Sequence, residues 1–387
     1  MEEMLSTFLL DAEDLLAVRR AIYAGDEGLQ AADERLLMEA DQALYLGPFS
    51  VVDKEVVAPS GDKRDYMSQA PYWWPDSEME DGLPYLQRDG EVNPESDSSD
   101  MNRLAALCSA LSTLASAYFF SDHEDFAERA GLLLRTWFLD ETTAMNPHLE
   151  YGQGIPGRCE GRGSGIIDTS GLGWLVEMVG LLGASPAWNL DDQKGLQGWC
   201  ATYLDWLLES SHGRAEAMRE NHHGTWYDVQ LVSLALFIGR DELARKIAEE
   251  SVPRRIEVQL APDGAQPQEI SRTRSLSYCA MNISAFFDLA DLGRRVGVDL
   301  WSYEGGEGRS IRRAFNWLVE HAIDAEEWAF TQVSEFDWAQ MMVLLRRGSR
   351  RFGDLSYEEH IASLDKVDIT SERTNLIYPA IGPVAGS

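Results

Sequence analysis

The sequence predicts an all-α protein built from antiparallel helix hairpins arranged in a ring or solenoid. Apolar residues recur at helical spacing through most of the chain, and alternating strand patterns are rare, the best being Ile256 to Leu260. A hairpin alone leaves one apolar face uncovered, which favours closing many of them around a shared core. With 387 residues, 44% of them apolar, we expect a single domain over residues 1–387.

The individual helices follow from this periodicity. One apolar stripe runs from Leu104 to Tyr118 and another from Leu196 to Leu207. Ser121 and Glu124 have capping-box spacing, so a helix is expected to begin there and run past Trp137. Further helices are predicted over 12–24, 28–46, 170–183, 227–238, 241–251, 276–296, 309–322 and 336–347.

Two long segments interrupt the helices, 50–100 and 144–169. The first is rich in Pro, Gly, Asp and aromatic residues, and the second is rich in Gly. Long connections inside a compact domain are usually functional, and the first holds too many aromatic residues to be simply disordered. We therefore expect these loops to form a cleft that contains the functional site.

The charge of the chain excludes some partners. Sixty-five acidic residues against 33 basic ones leave a net charge of −32, which repels a phosphate backbone, so nucleic acid is not expected to bind. The dispersed acids resemble the solvated surface of a halophile's protein. No apolar run approaches the ~18 to 20 residues of a spanning helix, so we expect a soluble protein without a membrane partner. Met1 to Met4 show no secretory signal, although localisation stays undetermined.

The four cysteines are predicted to be reduced. Cys108, Cys200 and Cys279 lie in apolar helical patterns, where a thiol behaves as a small hydrophobe. Cys159 lies between Arg158 and Glu160 and is the least certain of the four.

The first candidate cluster is a loop rich in aromatic residues, with the sequence Tyr-Met-Ser-Gln-Ala-Pro-Tyr-Trp-Trp-Pro-Asp at 66–76. Aromatic rings offer flat faces that suit sugar rings, and Arg88 could hold an acid group. The alternative is a loop that its aromatic residues anchor to the helices. Both interpretations are compatible.

The second cluster is the Gly-rich segment that includes Gln153, Arg158 and Arg162. Glycine lets a backbone approach a ligand, but no Gly-Lys-Ser/Thr follows, so this is not a phosphate loop. The two arginines could bind an acidic ligand, or they could pair with Glu160 and Asp168 and brace the loop.

The third cluster is Asn221-His222-His223-Gly224-Thr225-Trp226-Tyr227-Asp228, with Arg272 and Tyr278 about 50 residues later. We expect adjacent histidines to point different ways, which argues against a shared metal, and no cofactor is predicted. Amide, imidazole, guanidinium and phenol groups suit removal of a proton alpha to a carboxylate. By spacing alone, ordinary loop polar residues explain them equally well.

Five strings in order resemble the alginate lyase superfamily, whose members share an α/α toroid and cleave polyuronates by β-elimination. They are Tyr-Met-Ser-x-Ala-Pro-Tyr-Trp-Trp-Pro at 66–75, Asn-Pro-Glu at 93–95, Gly-Arg-Gly-x-Gly-Ile-Ile-Asp at 161–168, His-Gly-Thr-Trp-Tyr-Asp at 223–228, and Arg-Thr-Arg-Ser-Leu-Ser-Tyr at 272–278. The likeness spans roughly residues 10 to 380. The first two strings look closest to the branch that contains glucuronan lyases. The resemblance implies an (α/α) toroid and an acidic polysaccharide as substrate.

The resemblance also implies roles for single residues. His223 matches the family histidine, Arg272 the supporting arginine, and Tyr278 the tyrosine that protonates the departing oxygen and, for one C5 stereochemistry, abstracts the C5 proton. Asn221 completes the group. We predict that the substrate-binding side chains are Tyr66, Tyr72, Trp73, Trp74, Arg88, Gln153, Arg162 and Tyr227.

One position departs from the family pattern. The family has Asn-Asn-His-Gly, whereas this chain has Asn221-His222-His223-Gly224, so His222 occupies the place of an amide that helps to neutralise the substrate carboxylate. A neutral imidazole could donate one hydrogen bond in its place, and a protonated one would neutralise the acid better. Histidine ordinarily titrates near neutral pH, so activity is expected to depend steeply on pH.

Two other functions remain open at this point. One is a glycoside hydrolase on a helical toroid, with Asp168, Asp228 and Glu269 as the available acids. The other is a polysaccharide-binding protein that lost turnover through the change at His222. The uronate cleaved, the endo or exo mode and the oligomeric state are not determined by the sequence.

Overall fold

The computed structural model describes residues 5–325 and 327–381. Met1 to Met4, on which the prediction about a secretory signal rests, lie outside the described residues. The described chain divides into two compact units. Unit 1 comprises residues 5–6, Gln42–Arg219 and Trp226–Ala244; unit 2 comprises Thr7–Asp41, Glu220–Thr225 and the described residues from Arg245 onward. The single domain over 1–387 stays a prediction.

Helices dominate the described residues. The first nine are α1 Ala12–Tyr23, α2 Glu27–Ala43, α3 Asp100–Ser121, α4 Glu124–Phe138, α5 Leu172–Leu181, α6 Leu190–Glu209, α7 Ser211–Ala217, α8 His222–Phe237 and α9 Asp241–Ser251. The others are α10 Glu257–Gln259, α11 Pro267–Ile270, α12 Ser275–Arg295, α13 Ile311–Val319, α14 Trp338–Phe352, α15 Ser356–Ala362 and α16 Thr374–Ile377. The helices predicted over 12–24, 241–251 and 276–296 are confirmed to within one residue at each end.

In unit 1, α3 packs against α4 and α5. Leu107, Leu111 and Leu114 lie at helical spacing on α3 and are fully buried. Each such side chain stabilises the fold by about 1.5 to 3 kcal/mol relative to an exposed one. The apolar stripe predicted for this helix therefore forms the core of unit 1.

In unit 2, α12 packs against α13 and α14. Phe287 on α12 meets Phe315 on α13 edge to face, with ring centroids 5.2 Å apart. Beside them the buried Arg347 of α14 bonds Asp288 at 2.6 Å and Asp291 at 2.9 Å. A buried arginine needs such partners, because an unpaired charge away from water is costly.

The two long loops contain short strands. β1 Met67–Gln69 pairs in parallel with β4 Tyr151–Gly154, and β2 Trp73–Trp74 pairs antiparallel with β3 Leu86–Gln87. Short 3-10 turns occupy Val51–Asp53, Pro94–Ser98 and Gly163–Thr169. The first strand pair links the aromatic loop to the Gly-rich segment within unit 1.

Two local predictions are wrong. Ile256 to Leu260, the best candidate strand, continues the α9 helix through a π turn at Val252–Ile256 into α10, because Ile256 and Leu260, four residues apart, are buried on one face while Val258 is exposed. Ser121 is the last residue of α3, and its hydroxyl donates to the carbonyl of Ala117 at 2.6 Å. His123 is therefore the N-cap residue of α4, and no capping box forms there.

By length and composition alone, one helix among the described residues could cross a membrane. It is α3, with a mean hydropathy of 1.5 over its apolar window. The expectation that no run approaches the length of a spanning helix therefore fails at α3, because its charged residues, Asp100 and Arg103, lie only at its beginning. Within the structure 67% of that window is buried, which is typical of a core helix.

Candidate active site

The first turn of α8 carries two of the predicted catalytic residues. The helix begins at His222, five residues earlier than the predicted 227. The carbonyl of Asn221 accepts from the amide of Gly224 at 2.9 Å, so Asn221 is the residue on which the helix starts. His222 is 2% exposed, and its imidazole lies 4.7 Å from that of His223. The expectation that the two rings point apart is wrong, because both lie at the open end of the helix.

Glu269 on α11 holds His222 by both carboxylate oxygens. Oε1 accepts from the backbone amide of His222 at 2.6 Å, and Oε2 lies 2.8 Å from its Nδ1. The first bond satisfies an amide that the helix itself leaves without a partner, and an acid is favoured at a helix N-terminus. Glu269 is 1% exposed. The sequence analysis named it only as an available acid.

Tyr278 on the first turn of α12 stacks on His222. The two rings are 4.9 Å apart and nearly parallel, at 11°. The guanidinium of Arg272 lies 4.4 Å from the centre of the phenol ring, and its Nη2 lies 3.4 Å from the phenol oxygen. The guanidinium therefore places positive charge beside both the ring and the phenol oxygen.

A buried amide network lies beneath this group. Gln259 accepts from Thr225 and from Asn282, both at 3.0 Å, and donates to the Asn221 carbonyl at 3.2 Å. Gln266 accepts from Asn282 at 2.9 Å. Buried amides that bond one another hold a single arrangement. Sequence reasoning missed them, since their only signal is a polar residue on an apolar face.

We call Asn221, His222, His223, Glu269, Arg272 and Tyr278 the histidine cluster, and all of them lie in unit 2. The structure brings together five side chains that the sequence analysis singled out and adds Glu269. The Oδ1 atom of Asn221 is buried and has no hydrogen-bond partner among the described residues. An amide, two imidazoles, a guanidinium and a phenol can bind an acid and move a proton.

The aromatic residues of unit 1 form a second group. Trp73 has the guanidinium of Arg158 at 5.1 Å and that of Arg162 at 6.0 Å, and Trp74 has that of Arg88 at 5.2 Å. Tyr72, Trp73 and Trp74 are half-buried, and Arg88 is exposed. We call Trp73, Trp74, Arg88, Arg158 and Arg162 the tryptophan–arginine surface. It combines flat apolar faces with positive charge.

Asp168 is the centre of a separate buried network in unit 1. It accepts from Tyr66 at 3.0 Å, from Ser68 at 2.6 Å and from Gln153 at 2.8 Å. Arg162 donates to Gln153 at 2.8 Å, so this arginine reaches the acid through an amide. Burial, followed by the charge of Asp168, raises the pKa of Tyr66 well above its ordinary value. The geometry is that of a brace between β1 and β4.

Three of the predicted substrate-binding residues are buried. Tyr66 is 0% exposed, Gln153 is 5% exposed, and Tyr227 is 3% exposed and donates to the carbonyl of Leu207 at 2.8 Å. Gln153 also adopts a positive φ of 48°, which is uncommon for a residue with a side chain. Burial lowers the pKa of Arg162. The side chains of Tyr66, Gln153 and Tyr227 therefore face neighbours within unit 1.

Within the described residues, no three His, Cys, Asp or Glu side chains are grouped so that they could hold a metal ion. The three acids considered for a hydrolase mechanism are hydrogen-bonded to other side chains or buried. Asp168 and Glu269 bond the side chains described above, and Asp228 is fully buried.

The helical fold, with a cluster of groups able to bind an acid and move a proton, is compatible with a polysaccharide lyase, and comparison with known proteins supports this class. The family described as alginate lyase matches residues 50–328, which is most of the chain. The chain belongs to the alginate lyase family.

Solved structures agree. An alginate lyase from Bacteroides ovatus is 37% identical, with a TM-score of 0.92 over 97% of this chain and 99% of that one. Alginate lyase A1-III from Sphingomonas species A1 is 16% identical, with a TM-score of 0.60 over 97% of this chain and 96% of that one, which shows the fold alone. A variant of A1-III complexed with a tetrasaccharide has a TM-score of 0.61 at 16% identity over 98% of both chains. No match was found among curated proteins.

These findings confirm the predicted fold class, an all-α (α/α) toroid, and the predicted enzyme class. The hydrolase and binding-protein alternatives are thereby set aside. The roles of single residues and the identity of the uronate stay predictions.

Proposed function

We propose that this enzyme cleaves a 1,4-linked polyuronate, glucuronan or alginate, by β-elimination at the histidine cluster. The observation that carries the proposal is the phenol of Tyr278, stacked on His222 and next to the Arg272 guanidinium. The alginate lyase from Bacteroides ovatus supports the substrate class, since alginate is a polyuronate. The resemblance to glucuronan lyases keeps glucuronan as an equal candidate.

The reaction removes a proton that is only weakly acidic. Taking the C5 proton of a uronate places a second negative charge on its carboxylate, so donors directed at that group carry most of the catalysis. One such donor typically contributes about 3 to 4 kcal/mol in a water-poor site. Asn221, His222 and Arg272 are the proposed neutralising groups. The electron pair left at C5 forms the C4–C5 double bond as the C4–O bond breaks.

Tyr278 handles the proton in this scheme. Where the C5 hydrogen and the leaving oxygen lie on the same face of the sugar, the phenolate takes the C5 proton and returns it to the oxygen. Where they lie on opposite faces, His223 takes the C5 proton and the phenol of Tyr278 protonates the oxygen. Arg272 stabilises the phenolate, the form of Tyr278 that takes the C5 proton in the first case and that is left in both cases after the oxygen is protonated. No metal ion or cofactor takes part.

We further propose that the tryptophan–arginine surface, with Tyr72, binds sugar rings and their acid groups. Rings with a guanidinium beside them offer both an apolar face and a bidentate donor. Tyr66, Gln153 and Tyr227 act instead as braces, because their polar groups already bond neighbours.

The test is ultraviolet absorbance of the unsaturated product on polyglucuronate, polymannuronate and polyguluronate. Tyr278→Phe keeps the stacked ring and is expected to lower the rate about 10²- to 10⁴-fold. Tyr45→Phe is the matched control, since Tyr45 is 86% exposed, and should match the unmodified enzyme. Equal rates for Tyr278→Phe and the unmodified enzyme would remove Tyr278 from its role. No unsaturated product on any of the three polymers would contradict the substrate class.

A further inference from the structure

Both carboxylate oxygens of Glu269 bond His222. One carboxylate oxygen accepts from the backbone amide of His222 and the other bonds its Nδ1, at 2.6 and 2.8 Å. The side chains of His222 and Glu269 are 3% and 1% exposed. A buried carboxylate of this kind requires donors on both oxygens, and His222 supplies both.

This arrangement decides which nitrogen of His222 meets a ligand. An ionised carboxylate accepts but cannot donate, so Nδ1 must carry a hydrogen. The ring cannot turn over freely, because it is stacked on Tyr278 at 4.9 Å. Nε2 is therefore the ring nitrogen left for a substrate. In the neutral ring Nε2 carries a lone pair and no hydrogen.

With the Nδ1 hydrogen directed at Glu269, a neutral His222 has no hydrogen at Nε2 to donate in place of the family amide. A lone pair at Nε2 repels a carboxylate, whereas a second proton turns Nε2 into a charge-assisted donor. Among the described residues, the charged and titratable groups against His222 are Glu269 on α11, His223 on α8 and Tyr278 on α12, and Tyr278 in turn has the guanidinium of Arg272 over its ring. Of these, Glu269 is the one that hydrogen-bonds the ring, and it serves as the counter-ion of the imidazolium.

We propose that His222 binds the uronate carboxylate as an imidazolium, takes up one proton from solution as the acidic sugar binds, and is positioned for this by Glu269. The inference rests on the proposed function, which supplies the uronate. Binding and protonation are then coupled. A relative with an amide at this position would bind the same sugar without proton uptake.

Proton uptake is measured by calorimetry with the Tyr278→Phe enzyme and a uronate tetrasaccharide of each type. Two buffers of different ionisation enthalpy are used, at a pH about one to two units above the ordinary pKa of histidine. We expect uptake approaching one proton per sugar bound. The Tyr278→Phe/His222→Asn protein should bind with none. Equal uptake by both proteins, or binding without uptake by Tyr278→Phe, overturns the inference.

Failure of the proposed function would look different. In that case none of the three tetrasaccharides binds, and the unmodified enzyme releases no unsaturated product from the polymers. Cleavage together with binding that lacks proton uptake contradicts the role of His222 and leaves the lyase reaction standing.

Glu269→Gln tests the positioning role. The Gln oxygen can still accept from the His222 amide while its NH₂ group donates to Nδ1, which moves the imidazole hydrogen to Nε2. We expect the ¹⁵N resonances of His222 to report this other tautomer, proton uptake to disappear, and kcat to fall about tenfold or more. In the His222→Asn background the same change should have little further effect on kcat.

The control is Glu257→Gln in the same unit, where the carboxylate bonds Tyr303 at 2.7 Å. It should leave the tautomer of His222, proton uptake and kcat unchanged. If Glu269→Gln lowers kcat by the same factor in the unmodified enzyme and in the His222→Asn variant, or leaves the tautomer unchanged, then Glu269 only caps α8 and the inference is wrong.

Discussion

The chemistry of His222 depends on a residue 47 positions further along the chain. The sequence identified His222 through its place in a motif, but a motif does not say which ring nitrogen bears the hydrogen. That is decided by the carboxylate of Glu269, and then by the ring of Tyr278 stacked on the imidazole. The sequence shows that residue 222 is a histidine, but it does not show which of the two ring nitrogens carries the hydrogen.

The thiols differ by environment in the same way. Burial raises the pKa of Cys108 to about 12 and also raises the pKa of Cys200 and Cys279, whereas Cys159 is exposed. The thiolate is the reactive form, so a raised pKa slows reaction at neutral pH. We expect a thiol reagent at about pH 8 to modify one cysteine per folded chain and all four after unfolding.

Cys159→Ser is the matching control. In the folded form of this variant the reagent should modify no cysteine. After unfolding, the three remaining thiols should react with the reagent at the same rate as in the unmodified protein. A second cysteine of the folded enzyme that reacts as fast as Cys159 would show that one of the apolar environments is open to water.

Helix boundaries show what can be predicted at the scale of an element. The centres of the predicted helices are correct, because an apolar stripe must face a core. The starts are less accurate: α8 begins five residues before the prediction, where Glu269 supplies the acceptor that a local cap would otherwise provide. Ser121 has capping-box spacing, yet it ends α3. A capping box that was not predicted forms at Asn189, before α6.

Asn189 should therefore contribute to stability where Ser121 does not. Its side chain accepts from the amides of Asp191 and Asp192, at 2.8 and 3.1 Å, and Asp192 bonds back to the Asn189 amide at 3.2 Å. Asn189→Ala is expected to lower the free energy of unfolding by about 1 kcal/mol, measured by urea denaturation.

Ser121→Ala is the comparison within the same protein. Its hydroxyl donates to a carbonyl four residues earlier and accepts from the His123 amide at 3.2 Å in an exposed position where water can replace it, so the expected change is below about 0.5 kcal/mol. If Ser121→Ala lowered the free energy of unfolding by more than Asn189→Ala does, Ser121 and not Asn189 would be the stabilising cap.

At the scale of the whole molecule, the net charge of −32 opposes both folding and the approach of a polyanion. Buried pairs such as Arg347 with Asp288 and Asp291 are shielded from salt, but the dispersed surface acids are not. The positive groups proposed to bind a polyuronate are Arg272 in unit 2 and, separately in unit 1, the arginines of the tryptophan–arginine surface. Local charge and net charge therefore have opposite signs.

Sodium chloride should stabilise this enzyme. Raising the ionic strength from about 0.01 M to 1 M shortens the screening length from about 30 Å to 3 Å and weakens repulsion among the acids. We expect the thermal midpoint of unfolding to rise across this range. The control is the thermal midpoint in a neutral sugar at the same osmolality, which shows the effect of added solute without charge screening. A thermal midpoint that falls as salt is added would mean that attractive ion pairs on the surface outweigh the repulsion among the acids.

The helical class can be predicted from the sequence, because periodic apolar residues must bury one face, and so can the family, because five strings retain their order. The sequence also identified Asn221, His222, His223, Arg272 and Tyr278, which lie together in the structure. Three features become visible only in the folded chain: Glu269 bonds both the backbone and the ring of His222, an amide network bonds the start of α8, and the side chains of Tyr66, Gln153 and Tyr227 are buried. The physical reason is range: periodicity and capping act over a few residues, whereas hydrogen bonds between residues far apart in the chain exist only after folding brings them within about 3 Å.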